Sequence, residues 1–114
     1  MLPKQYRISR KEMRLVLRSG VAIRQAAFKL LSLPLPSGKT AKIGFVVPKR
    51  VEKTAVGRHK IKRYLRGAWY ALHKNFVPAH GYVFVVEQKI IAPSEETILP
   101  IIEQLVKRST ERKI

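Results

Sequence analysis

The chain has 114 residues, with 24 Lys and Arg against seven acids, a formal net charge of +17 and a hydrophobic fraction of 46%. That length suits one compact core, so a single domain over 1–114 is expected, and the apolar fraction excludes a disordered polycation. All seven acids are Glu and no Cys is present, which excludes disulfides, thiolate zinc sites and Cys nucleophiles, while the surplus charge points to an anionic partner.

Ser9-Arg10-Lys11-Glu12 has the form of a capping box, and Met13, Val16 and Leu17 follow at helical spacing until Ser19-Gly20, so a short first helix is predicted. Ala22 to Leu35 favours extended chain and ends in a turn at Leu33 to Gly38. Ile43-Gly-Phe-Val-Val47, closed by Pro48, reads as a further strand. From Ala55 to Phe76 the period becomes helical, with Ile61, Leu65, Ala68, Leu72 and Phe76 in one stripe and Arg58, Lys62, Arg63 and Arg66 on the adjoining arc. Tyr82 to Val86 reads as a buried strand, and a last helix starts near Pro93-Ser94-Glu95-Glu96. If Ser94 caps it, Pro100 lies in the interior; if Thr97 does, Pro100 lies in the tolerated first turn. Lys107 to Ile114 reads as a fraying tail.

This order predicts an α+β fold, a two-layer sandwich of a mixed four-stranded sheet with helices in the order α-β-β-β-α-β-α. The longest unbroken apolar run, Tyr82 to Val86, is five residues, too short for a membrane span or signal peptide, so a cytoplasmic protein without a membrane partner is expected. A membrane-surface helix at the basic stretch would need a free apolar face, and the Ile61/Leu65/Leu72 stripe is expected to be occupied by the sheet.

Charge is concentrated between Lys49 and Arg66, where eight Lys and Arg face the single Glu52, while Glu95, Glu96, Glu103 and Glu111 gather in the last segment. Such a stretch attracts phosphates, and Arg58, Lys62 and Arg66 at i, i+4 and i+8 have no Glu on their own helix to pair with. The residues for hydrolysis are missing by the same reading. There is no Asp, no convergent Glu cluster for divalent ions and no constellation among His59, His73 and His80. No catalytic residue, bound metal or protein-held cofactor is therefore expected.

The run Lys49-Arg50-Val51, then Ala55-Val-Gly-Arg-His-Lys-Ile-Lys-Arg-Tyr-Leu-Arg66, resembles the Arg-Asn-x-x-Lys-Arg-x-x-Arg signature of the bacterial ribonuclease P protein component. The resemblance extends to Tyr6-Arg7, the Gly-Phe-Val-Val strand, Gly81 to Val86 and the Glu-Glu-containing last helix. It implies a fold similar to the second domain of ribosomal protein S5, with a left-handed βαβ crossover that chain physics alone disfavours. It also implies an RNA-binding subunit of ribonuclease P, one protein per RNA. The partner RNA carries the chemistry with magnesium ions and removes the 5′ leader of precursor tRNA. Carried over by position, the RNA-binding residues are Lys49, Arg50, Arg58, His59, Lys60, Lys62, Arg63 and Arg66, and the leader cleft is Met13, Leu17, Arg24, Phe28 and Leu31. Here His59 replaces the motif Asn, Gln25-Ala26 replaces an Asn-Arg pair, and Met13, Leu17 and Leu31 stand where aromatic residues are common. The competing readings are a small ribosomal or RNA-chaperone protein, which the ordered motif disfavours, and an autonomous nuclease, which the missing carboxylates disfavour.

Overall fold

The computed structural model describes residues 2–35 and 40–111. After a 3₁₀ turn at Lys4–Tyr6, the chain forms α1 (Arg10–Ser19), β1 (Val21–Gln25), β2 (Phe28–Pro34), β3 (Lys42–Val46), α2 (Ala55–Leu72), β4 (His80–Val86) and α3 (Glu95–Glu111). The sheet order is β1-β2-β4-β3, antiparallel except for the parallel β3/β4 pair that α2 connects. The α+β class and the mixed four-stranded sheet are as predicted. The Leu33 to Gly38 turn falls largely on residues outside those described.

Local chemistry sets most boundaries. Ser9 Oγ accepts from the Glu12 N–H at 3.1 Å and the Glu12 carboxylate accepts from the Ser9 N–H at 3.0 Å, so the capping box forms in full. α2 is capped by Thr54, whose hydroxyl accepts from the Gly57 N–H at 3.0 Å. It stops being α-helical at Leu72, four residues short of the predicted end, and His73–Asn75 continue as a 3₁₀ turn that still delivers Phe76 to the core. For α3 the open choice resolves to Ser94: its hydroxyl accepts from the Thr97 N–H, and the Ile98 N–H reaches the Ser94 carbonyl at 3.1 Å. Pro100 then lies inside the helix, on its exposed side. The fraying tail is corrected as far as Glu111, because Val106 and Ser109 are buried and Arg108 Nη1 donates to the Arg24 carbonyl at 2.8 Å.

Side-chain alternation divides the sheet into two faces. Ile23, Phe28, Leu30, Ile43, Tyr82, Phe84 and Val86 meet α2 through Ile61, Leu65, Ala68 and Trp69, and α3 through Ile98, Ile102, Leu105 and Val106. Leu31, Val83 and Val85 face the other way, under Val16 of α1, with Ile8, Met13, Ala22, Leu33 and Val46 around them. The two-layer expectation thus describes the larger core, and α1 adds a smaller third layer on the opposite face. The cause lies in β2 and β4, which are apolar on both sides and need cover on both. Burial pushes the Tyr82 phenol upward in pKa, partly offset by the Val77 N–H that donates to it at 2.9 Å, so the ring is anchored as a neutral hydroxyl.

Leu65 is 1% exposed at the centre of the α2 contact. Leu65→Ala is expected to lower stability by about 3 kcal/mol through lost transfer energy and a residual cavity; the urea midpoint of the purified protein measures it.

Candidate RNA interface

The outer arc of α2 is basic because its inner arc is spent on the sheet and no acid occurs between Ala55 and Leu72. Its cations do not act alike. Arg58 Nη1 donates to the carbonyls of Glu52 and Lys53, both at 3.0 Å, so this guanidinium holds the loop that leads into the helix. That loop is further fixed by Glu52, whose carboxylate accepts from the Thr54 hydroxyl at 3.1 Å. Arg58, expected among the outward phosphate contacts, thus also has a structural role through Nη1. His59, Lys60 and Arg63 are exposed and, with Val56 and Arg66, line an open hollow of about 450 Å³. Arg63 lies 5.6 Å from the Tyr64 ring centroid, within cation–π range.

Lys62 and Arg66 lean the other way. They border a groove of about 220 Å³ whose remaining wall is Leu2, Arg7, Ile8, Met13, Ile43, Gly44 and Phe45. The groove exists because the N-terminal segment runs along the outside of β3, where the Ile8 N–H donates to the Ile43 carbonyl at 3.2 Å. Arg66 lines both hollows, so the basic arc continues without a break from α2, across the β3 edge, to α1.

The predicted cleft residues do not all share this surface. Met13, Leu31, Val46 and Val85 are on the α1 face, and Leu17, four residues after Met13, is 43% exposed beside them. Phe28 is excluded from the cleft: an odd number of positions from Leu31, it points through the sheet into the α2/α3 core, where it is 1% exposed. Leu31 is on the correct face but 5% exposed, a floor already covered by α1. Arg24 belongs to the α1 face at its open end. Its Nε meets Glu87 Oε1 at 2.9 Å, and Lys29 Nζ lies 3.5 Å from Glu87 Oε2. Arg50 Nη1 donates to the Glu87 carbonyl at 3.2 Å, and Lys49 is exposed in the turn before it. Burial is the largest single influence on the Glu87 carboxyl and raises its pKa, but the hydrogen bonds and charges of Arg24 and Lys29 together outweigh it and hold the group below the ordinary Glu value. Arg7, Lys29 and Glu87 were missed as site residues. For Lys29 the signal was present, since it is two positions from Leu31 and so on the same face.

Both ion pairs among the described residues belong to Glu87, and no Lys or Arg of α2 has a carboxylate partner among them. Nor do any three His or Glu side chains among the described residues gather into a metal-holding cluster. The features define a class, small α+β proteins with one uncompensated basic helix between parallel strands. The chain matches the Ribonuclease P family model over residues 2–110 and belongs to that family, the protein subunit of an endoribonuclease that partners ribonuclease P RNA in processing the 5′ end of precursor tRNA. The ribonuclease P protein component of Geobacillus thermodenitrificans is 34% identical over 90 residues, 78% of this chain and 74% of that one. A variant of the Staphylococcus aureus RNase P protein shares the fold with a TM-score of 0.81 at 22% identity, over 94% of this chain and 90% of that one. The Thermotoga maritima protein does so with a TM-score of 0.78 at 20% identity, over 90% and 96%. The ribosomal or chaperone reading is not favoured by these matches.

Because Arg58 is tied to two carbonyls and its helical neighbours are not, Arg58→Ala is expected to cost about 1 kcal/mol of stability, the worth of such hydrogen bonds. Lys62→Ala and Arg66→Ala should leave the melting temperature of the RNA-free protein within a degree or so, since these half-buried cations have no carboxylate partner among the described residues; thermal melts of the three variants check the ranking.

Proposed function

We propose that the outer arc of α2, His59, Lys60, Lys62, Arg63 and Arg66, docks on ribonuclease P RNA, and that the α1-face groove receives the single-stranded 5′ leader of precursor tRNA. The observation that carries this reading is the continuity of Arg66 between the hollow on α2 and the groove at the β3 edge. A polyanion bound on α2 would thereby hand a second strand to a channel with an apolar floor and cationic ends. Lys49 and Arg50 extend the cationic border where the chain enters α2. One copy of the protein would serve one RNA in the cytoplasm.

In this reading the chemistry is the RNA's. Magnesium held by the RNA would supply the activated water and stabilise the leaving oxygen. The protein contributes charge neutralisation and leader alignment, which lower the cost of bringing two polyanions together. Protein rigorously freed of RNA is accordingly expected to leave precursor tRNA uncut at all magnesium concentrations; cleavage that disappears in His59→Ala would reverse this assignment.

The groove offers its leader an aliphatic wall, since Met13 and Leu17 lack the flat faces on which bases stack. Leu17 has room for a ring, whereas a larger residue at Leu31 would overpack the layer beneath α1. Leu17→Phe in the reconstituted holoenzyme is expected to tighten leader-bearing precursor tRNA by up to about tenfold, the low end of one base–aromatic stack. Affinity for leaderless tRNA should stay unchanged. Equal tightening of both substrates, read by titration of labelled RNA, would remove Leu17 from the groove.

A further inference from the structure

Glu87 is the one acid among the described residues with Lys or Arg side chains at ion-pair distance. It directly follows β4, and its N–H donates to the Ala27 carbonyl at 2.8 Å, which fixes it over the β1–β2 turn. Three cations from three segments converge on it: Arg24 from β1 and Lys29 from β2 on its carboxylate, Arg50 from the loop before α2 on its carbonyl. A fourth, Arg108 of α3, braces the same corner through the Arg24 carbonyl and the Gln25 side chain. The Arg24 side chain is 64% accessible, and an ion pair this exposed contributes little to stability, although Lys29 and Glu87 are only 22% and 26% accessible.

Geometry supplies a reason for the arrangement beyond stability. Glu87 engages Arg24 through Nε, which restrains the guanidinium and leaves its two terminal amino groups uncommitted to Glu87 on a side chain that is 64% accessible. Such a fork matches a phosphate, and Arg24, two positions from Ala22, lies on the same face of the sheet as Leu31, Val46 and Val85. Unbraced, a long side chain would lose rotamer entropy on gripping a phosphate. Held by Glu87, that loss is already incurred.

We propose that Glu87 is a positioning residue that presets Arg24, Lys29 and Arg50 as a clamp for a backbone phosphate of single-stranded RNA leaving the α1-face groove. The proposal rests on the groove reading above. It also carries an unusual sign. Glu87→Gln raises the formal charge from +17 to +18, so attraction through space alone would tighten RNA at every salt concentration. A positioning role gives the opposite result. The Arg24 and Lys29 charges that keep the carboxyl below its ordinary pKa ensure that it acts as an anion at neutral pH.

The experiment uses holoenzyme reconstituted with ribonuclease P RNA and measures the affinity of leader-bearing and leaderless precursor tRNA across a potassium chloride series. Glu87→Gln should weaken the leader-bearing substrate about fivefold, the scale of one hydrogen bond. Its slope of log affinity against log salt should flatten by about 0.7, one single-strand phosphate. Leaderless tRNA should be unaffected, Glu87→Asp should recover most of the affinity, and in an Arg24→Ala background Glu87→Gln should add only the smaller loss that acts through Lys29. Tighter or unchanged binding by Glu87→Gln, or equal weakening of both substrates, would overturn the proposal. The Lys62→Ala/Arg66→Ala double variant tests the parent reading separately: if it binds RNA like wild type, the interface assignment fails, whatever Glu87 does.

Discussion

β2 and β4 form the centre of the sheet, and neither has a polar side. Leu30 and Leu31, like Phe84 and Val85, are neighbours in sequence and buried on opposite faces, so the sheet must be covered twice. α2 and α3 together cover the first face. Only the ten residues of α1 are available for the second. One helix about 15 Å long cannot roof four strands, and the uncovered remainder is the groove. The same constraint turns α2 inside out with respect to charge: its apolar arc is taken by the sheet, leaving the cations a single direction to face.

Placement of the acids sharpens that division. Glu12 closes the capping box of α1, Glu52 fastens the loop before α2, Glu87 braces the corner of β1 and β2, and Glu95 and Glu96 complement the first turn of α3. Each of these five has a local task, and α2 has none of its own. Beyond Glu52 at its N-terminus, the positive arc therefore has no acid of its own, and over distances shorter than a Debye length of about 8 Å salt screens it incompletely. Counterions must gather there until a phosphate backbone displaces them, which makes association with RNA strongly dependent on ionic strength.

How far the sequence spoke for this arrangement depends on how local each determinant is. The capping box at Ser9 and Glu12 and the stripe through Ile61, Leu65 and Ala68 are written in consecutive residues, and they formed as read. The β1–β2 turn at Ala26-Ala27 was not legible, because Ala26 adopts a φ of 54° that Gly or Asn normally signals. Positional carry-over put Phe28 and Leu31 in one cleft, although their odd spacing in a strand already separates them. Arg58 lay on the correct side of the helix, but a helical projection contains no loop and could not show that Nη1 bonds to the carbonyls of Glu52 and Lys53. Glu87 is a lone acid at a strand end whose partners lie 63 and 58 positions earlier, beyond the reach of any local pattern.

Packing and function meet at Gly44. It lies on the α1 face of β3, where an added Cβ would collide with Met13 Cε and lie 2.6 Å from Ile8 Cγ2. A side chain there would lift both the N-terminal segment and α1, the two elements that wall the groove beside Lys62 and Arg66. Gly81 plays the corresponding part further along, where a Cβ would come within 2.8 Å of Val16 Cγ2. The width of the channel is therefore set in part by two glycines of the sheet, Gly44, which itself lines the groove, and Gly81 beneath α1. α1 can sit close enough to bury Val16 only because β3 and β4 each omit one side chain at the contact. The groove's shape is thus a property of the core, and its charge a property of the helix that the core turned outward.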